Sequence, residues 1–279
     1  MKPVADLAGA GPPLAVYIDL DGTLLGPGGS LFAAADGGVT RAAATAVAAL
    51  LEAGGELVPL SGRTALQVRE TARLVGARAS IAELGGVTWY EDGEVVRDAG
   101  EFPGGGSPHE AMVRGGVGGL LLEAFPGRLE PHAPWAFLDR ECSMLLRGHV
   151  DASEAEATLE RAGFGWLQVT DNGVIRRTFP GLRTVETHAY HVLPRGISKA
   201  KAAAADMARR GLDPARCVAV GDSPADAALA GVCGAAFIVA NGREDVERGR
   251  VDAPNLYATE APYGDGFAEA VRALLGRPA

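Results

Sequence analysis

The sequence predicts an α/β fold, a parallel sheet with helical crossovers, into which a separate α+β module is inserted. Three observations predict it. Short apolar runs alternate with helical patterns in the first third of the chain, the texture turns antiparallel from about Gly86, and the alternating pattern returns after Pro194. With 279 residues, 47% of them hydrophobic, the chain is long enough to bury roughly 75% of its extended surface. That excludes global disorder and suits one large or two modest domains.

Leu14 to Ile18 is apolar and ends on two aspartates and a glycine, as a buried strand does at a polar edge. Thr40 can cap a helix whose Ala43, Val47, Leu50 and Leu51 share a face, with Gly54 at its stop. Leu57 to Leu60 reads as the next strand despite Pro59, which removes a ladder hydrogen bond. A second helix carries Val68, Ala72 and Val75 and stops at Gly76.

In the middle of the chain Asp92-Gly93 suits a hairpin turn between Trp89-Tyr90 and Val95-Val96. A Gly/Pro-rich stretch from Phe102 to Pro108 precedes a helix running to Glu123, then strands at Trp135 to Leu138 and Met144 to Arg147. Ser153 and Glu156 form a capping-box pattern for a helix through Ala162. Trp166 to Thr170 and Val174 to Thr178 read as a second hairpin about Asp171-Asn172-Gly173. After Pro194 come a helix from Ser198 to Arg210 and strands Cys217 to Val220 and Ala236 to Ala240. The expected organisation is a core of residues 1–85 and 193–279 around an inserted module of residues 86–192.

Lys plus Arg number 26 against 35 Asp plus Glu, a formal charge of −9, which makes nucleic acid an unsuitable partner. The N-terminus lacks a secretory pattern, and Gly, Arg, Asp or Glu breaks every stretch approaching the roughly 18 apolar residues of a membrane span. Cys142, Cys217 and Cys233 are widely spaced among small or apolar residues, unlike a disulfide or zinc framework. The expectation is a soluble cytoplasmic protein with free thiols.

The chemistry concentrates where strands end. Asp19-Leu20-Asp21-Gly22-Thr23 follows the first strand, Ser61-Gly62 the second, and Gly221-Asp222-Ser223-Pro224-Ala225-Asp226 a later one; Ser198-Lys199 opens a helix. In an open parallel sheet the ligand crevice lies beyond the carboxyl ends of the strands. Two carboxylates ~4 Å apart repel by about 4 kcal/mol at an effective dielectric of 20, so converging acids need a cation. Oxygen ligands without His or Cys select a hard ion, and one that shares substrate phosphate is closer to Mg²⁺ than to Ca²⁺. Lys199 adds positive charge, and Ser61 and Gly62 can donate to an anion. Together these describe a phosphoryl-transfer site.

These four clusters, in this order, resemble the haloacid dehalogenase superfamily, in the subclass with a large type II cap and nearest to its Cof-like and sugar-phosphate phosphatases. The resemblance covers nearly the whole chain. It implies a Rossmann-like core, a cap over the strand ends, and Mg²⁺. It implies that Asp19 is the nucleophile and a metal ligand, and that Asp21 is acid and base and ligates through its carbonyl. Asp222 becomes the third metal ligand and Asp226 a supporting group behind the ligands, while Ser61, Gly62 and Lys199 hold phosphate. Arg63 has a structural or supporting part. Ala225 departs from the pattern, standing where many relatives place Asn.

The expected function is hydrolysis of a small phosphorylated metabolite, such as a sugar phosphate, by a monomer or homodimer that engages neither nucleic acid nor membrane. A phosphomutase, or a metabolite-binding protein that has lost efficient chemistry, are the alternatives. Dehalogenation does not call for the acid and base at Asp21. His188 and His191 resemble metal ligands but lack a visible third partner and fall on opposite faces of an extended run, so packing is the expected role. Arg147, His149, Arg176, Arg177 and Arg183 are candidate substrate-anion contacts or ordinary surface charge, and Tyr263, Asp265 and Phe267 are expected to close the core.

Overall fold

The computed structural model of the chain describes residues 1–7, 11–175, 177–184 and 186–276. Its strands are β1 (Lys2–Pro3), β2 (Ala15–Ile18), β3 (Glu56–Pro59), β4 (Ala79–Ala82), β5 (Val87–Tyr90), β6 (Val95–Arg97), β7 (Leu129–Pro131), β8 (Met144–Gly148), β9 (Leu167–Val174), β10 (His188–Pro194), β11 (Cys217–Gly221), β12 (Ala235–Ile238) and β13 (Leu256–Ala258). Helices are α1 (Ala42–Glu52), α2 (Ala65–Val75), α3 (Pro108–Arg114), α4 (Val117–Ala124), α5 (Ala152–Arg161), α6 (Lys199–Arg210), α7 (Pro224–Ala227), α8 (Arg243–Arg248) and α9 (Tyr263–Leu274).

Six strands form one sheet in the order β1-β13-β12-β11-β2-β3, and every neighbouring pair is parallel. Residues of β2 are buried on both faces, which is why Ala15 to Ile18 reads as a continuous apolar run rather than an alternating one. Val16 and Ile18 pack with α1 and α9 residues such as Leu50 and Phe267, while Tyr17 packs on the other face with Ala203 and Met207 of α6. Tyr17 Oη donates to Asp206 Oδ2 at 2.7 Å, so its buried hydroxyl is satisfied. Pro59 lies in β3, the edge strand of the six, where a missing N–H is tolerated. Thr64 and Gln67 make a reciprocal capping box on α2, which ends on left-handed Gly76.

A second sheet, ordered β7-β8-β10-β9, is antiparallel throughout. Leu146, Val169 and Val192 face α4 and α5 in a separate apolar cluster, so this sheet has its own core. Alternation along the strands then turns Gln168, Thr170 and Asn172 of β9, and His191 of β10, toward the first sheet. The hairpin at Asp92-Gly93 forms as expected, with Gly93 at φ +88, yet β5 pairs with β4 on its other side, in a three-stranded sheet β4-β5-β6 separate from the second sheet. A small seam cluster containing Val68, Leu84, Val87, Cys142 and Leu193 joins the two sheet systems. All three cysteines are buried and free.

Several local expectations are corrected. Asp171-Asn172-Gly173 is no hairpin turn: β9 runs straight through it and pairs with β10, with an irregularity between His188 and Tyr190. Asp171 Oδ1 accepts from Gly173 N at 2.9 Å, a local turn-like bond that does not reverse the chain. Of the expected partner strand at Val174 to Thr178, Arg176 lies outside the described residues. Trp135 to Leu138 is a short 3₁₀ turn after Pro134, not a strand. The helix expected to run to Glu123 breaks at Gly115-Gly116, where Gly116 is left-handed. Helix α5 is capped by Asp151, which accepts from Ser153 N and Glu154 N. Glu156 instead binds Val169 N at 2.9 Å and Arg195 at 3.0 Å.

Candidate active site at the strand ends

Three adjacent strands of the first sheet, β11, β2 and β3, deliver Asp222, Asp19 and Ser61 at their carboxyl ends. Strand order reverses between β11 and β2, the position at which an open α/β sheet opens a crevice. Carboxylate oxygens of Asp19, Asp222 and Asp226 lie within 4.8 Å of one another. Asp19 and Asp226 are 5% and 2% exposed, so water screens their repulsion poorly.

Lys199 Nζ donates to Asp19 Oδ1 and Asp226 Oδ1, both at 2.7 Å. It is the first residue of α6, where the helix dipole disfavours a cation, and it is 2% exposed. Burial works against its charge, but Asp19 and Asp226 outweigh that and raise its pKa. One ammonium does not balance three carboxylates. Burial pushes Asp19 up to about 7 against the pull of Lys199, with Asp226 adding to the rise. Asp222 is raised well above the ordinary carboxylate range by burial and by Asp19 and Asp226.

The cluster therefore fits a hard divalent cation on the chemistry of its donors: all are oxygens, and the residual charge is negative. Gly22 supports that fit, since its φ is +85 and a Cβ there would stand 2.0 Å from Asp222 Oδ2. Asn241, after β12, donates through Nδ2 to Gly22 O at 2.9 Å and Asp222 Oδ2 at 3.2 Å, fixing that carboxylate. Asp226 also accepts from Ser223 Oγ at 2.6 Å and from Ser223 N at 3.1 Å, so it caps α7 while it holds Lys199. Ala225 is adjacent, and these bonds form without an amide side chain there.

Asp21 stands apart. It is half exposed and paired with Arg63, whose Nε and Nη2 donate to its two oxygens at 2.6 Å each. Ser61 is buried, and its Oγ accepts from Arg63 N at 3.3 Å. Gly62 touches the second sheet: a Cβ there would lie 2.5 Å from His191 Nε2 and 3.2 Å from Asn172 Nδ2. Arg140, 1% exposed at its side chain, donates to Ser143 Oγ at 2.9 Å and reaches Gly62 O at 3.4 Å. Glu83 accepts from Cys142 N, Ser143 N and Ser143 Oγ, and so ties this segment to the core beside Ser61.

The second sheet thus roofs the phosphate-loop candidates with polar groups. His132 Nδ1, Asn172 Oδ1 and His191 Nδ1 are buried without protein hydrogen-bond partners, an arrangement expected of groups that meet water or a ligand. Burial, then Arg140 and Lys199, keep His191 well below its ordinary pKa and therefore neutral. A cavity of about 160 Å³ opens between Thr170 and Gln168 of this roof and Lys199 and Ala225 of the core.

The fold groups Asp19, Asp222, Asp226 and Lys199 and sets Ser61 and Gly62 just past the end of the adjacent strand β3. Asn241, Arg140, Glu83, Asn172 and His132, which no motif names, stand around them. Asn241 alone left a signal, a polar residue just past a strand. Of the candidate anion contacts, Arg147 is paired with Glu130 at 2.6 Å, and Arg177 stacks over Phe179 at 5.6 Å. His188 is buried, Asp265 accepts from Thr40 at 2.8 Å, and Phe267 lies in the core.

A Rossmann-like parallel sheet roofed by a second, antiparallel sheet carries an acid cluster at its strand switch. The family model described as haloacid dehalogenase-like hydrolase matches residues 175–249. Over that stretch the chain is similar to the family. Phosphoglycolate phosphatase of Natronomonas pharaonis is 38% identical over 92 residues, which cover 33% of this chain and 38% of that protein. The matched stretch therefore spans well under half of this relative. Phosphoglycolate phosphatase of Archaeoglobus fulgidus is 27% identical over 270 residues, covering 94% of this chain and 97% of that one. In fold, the chain is similar to the sucrose-phosphatase of Synechocystis solved with sucrose and phosphate (TM-score 0.63, 16% identity, 94% of this chain and 98% of that one). It is equally similar to a haloacid dehalogenase superfamily phosphatase of Bacteroides thetaiotaomicron (TM-score 0.63, 19% identity, 97% and 98% covered). Among the described residues no helix is long and apolar enough to cross a membrane.

Proposed function

We propose that the chain is a magnesium-dependent phosphomonoester hydrolase, built as a core of residues 1–85 and 193–279 around a cap of residues 86–192. The observation that carries this reading is the cluster of Asp19, Asp222 and Asp226, with Lys199 bonded to Asp19 and Asp226, at the end of strands adjacent to the one that leads to Ser61 and Gly62. Asp19, Asp222 and the carbonyl of Asp21 would hold Mg²⁺, with Asp226 behind them. The ion would neutralise the carboxylates and draw charge from the phosphoryl oxygens.

A carboxylate oxygen of Asp19 attacks phosphorus and forms an aspartyl-phosphate, while the ester oxygen leaves with a proton from Asp21. Asp21, now a base, takes a proton from the water that cleaves the aspartyl-phosphate. The Ser61 hydroxyl, the Gly62 N–H and Lys199 hold the transferring group's oxygens. A leaving group of few heavy atoms, such as glycolate or a small sugar, is the class that the phosphoglycolate phosphatase relatives point to.

The deciding experiment is phosphate release from a panel of phosphometabolites in Mg²⁺, with Asp19→Asn alongside. Release by the wild type and none by a folded Asp19→Asn supports the reading. No release from any substrate, or full activity in Asp19→Asn, overturns it.

A further inference from the structure

Away from the acid cluster, a second set of metal-binding side chains converges. His188 opens β10, Glu186 lies just before it, and His149 follows β8; one ligand atom from each falls within 4.8 Å of the others. The sequence pairs His188 with His191 and offers no third ligand. The fold instead sends His191 under the roof and brings His149 and Glu186 to His188.

His188 is buried, while His149 and Glu186 are exposed and face it. His188 Nε2 lies 2.7 Å from Glu186 Oε1. Two imidazoles held at ~2.0–2.1 Å on one tetrahedral ion have ring centroids roughly 5 Å apart. The rings of His149 and His188 are 5.2 Å apart, inclined at 74°.

A separate observation concerns the other ring nitrogen. His188 is 7% exposed, and its Nδ1 makes no well-aligned hydrogen bond, although Asp171 Oδ2 stands 2.8 Å away. Metal-bound histidines characteristically offer their second nitrogen to a carboxylate, which fixes the tautomer and aims the first at the ion. From the core, Arg248 reaches Glu186 at 3.9 Å.

We propose that His149, His188 and Glu186 bind a zinc-class transition ion, with Asp171 orienting His188. Two imidazole nitrogens and one carboxylate favour such an ion over Mg²⁺, which selects oxygen. Three protein ligands leave a fourth position for water. The ion would tie the segment leading into β10 to the end of β8, at one end of the two central strands of the second sheet.

The test is calorimetric titration of the full chain with Zn²⁺ in excess Mg²⁺, repeated with Co²⁺ for its visible ligand-field absorption. The expected result is one Zn²⁺ per chain, weakened roughly tenfold or more by His149→Ala, with loss of the Co²⁺ band. Asp171→Asn should weaken binding about 10- to 100-fold, an effect that a loose histidine pair would not show. Equal Zn²⁺ affinity in wild type and His149→Ala overturns the proposal. So does a Zn²⁺ equivalent that disappears in Asp222→Asn but persists in His149→Ala. His149 is exposed, so its variant tests the site without disturbing the core.

Discussion

Arg63 holds Asp21 in a two-pronged ion pair, both contacts at 2.6 Å, at the mouth of the crevice and clear of the Lys199 network. The two acids of the first motif therefore sit in different environments: Asp19 buried against an ammonium, Asp21 half exposed and forked by a guanidinium. Asp21 accepts both guanidinium bonds as a carboxylate, so its proposed turn as the acid requires this pairing to open.

Asp21→Asn should lower kcat for alkyl phosphates by roughly 10²–10⁴-fold, the usual reach of a general acid. A nitrophenyl phosphate, whose leaving group needs little protonation, should lose less. Steady-state kinetics on both substrates checks this, and equal losses would remove Asp21 from the proton-transfer role.

Removing a carboxylate from the cluster should have opposite effects with and without metal. In EDTA, Asp222→Asn should melt no lower than wild type, because it relieves like-charge repulsion. Added Mg²⁺ should raise the wild-type Tm and leave the variant nearly unmoved. Thermal melts in both buffers read the difference.

Lys199→Met leaves Asp19 and Asp226 facing each other without their ammonium. Breaking a buried ion pair from one side costs about 3–5 kcal/mol, so the variant's urea midpoint should fall well below that of wild type.

Gly62→Ala places a methyl against His191 and Asn172. The roof must shift, at a cost of about 1–3 kcal/mol by the measure of overpacked interiors. Denaturant melts should show that loss, together with a rise in KM.

His132 supplies a pH signature. Burial, then Arg147 and Arg140, lower its pKa from 6.5 to about 4. The unfolded chain takes up a proton on this residue at a pH where the folded one does not. Its contribution therefore favours folding above pH 6.5 and is lost as pH falls toward about 4. His132→Asn should flatten the decline of stability with acid across that window, as followed by urea midpoints.

The core and its acids were readable because strand runs and their polar ends are local signals: Ile18 meets Asp19, and Val220 and Gly221 meet Asp222. The roof was not. Asn172 and His191 reach Gly62 through a strand pairing set by long-range register, and Asp171-Asn172-Gly173 looks like a turn because the same residues that reverse chains also tolerate an irregular strand. Arg140 and Glu83 matter through contacts between segments 57 residues apart, and no spacing rule announces them. Ser153 has the residue type of a cap, but Asp151, two residues earlier, takes the free N–H groups.

Cys142 gives the molecule a built-in reporter. It packs in the seam joining the two sheet systems, hydrogen-bonds to Gly86 O at 3.3 Å, and has a thiol pushed up to about 12 by burial and by Glu83. Its thiolate is scarce while the seam is shut, so alkylation mapped to Cys142, with Cys217 and Cys233 of the core as internal references, measures how often the seam opens.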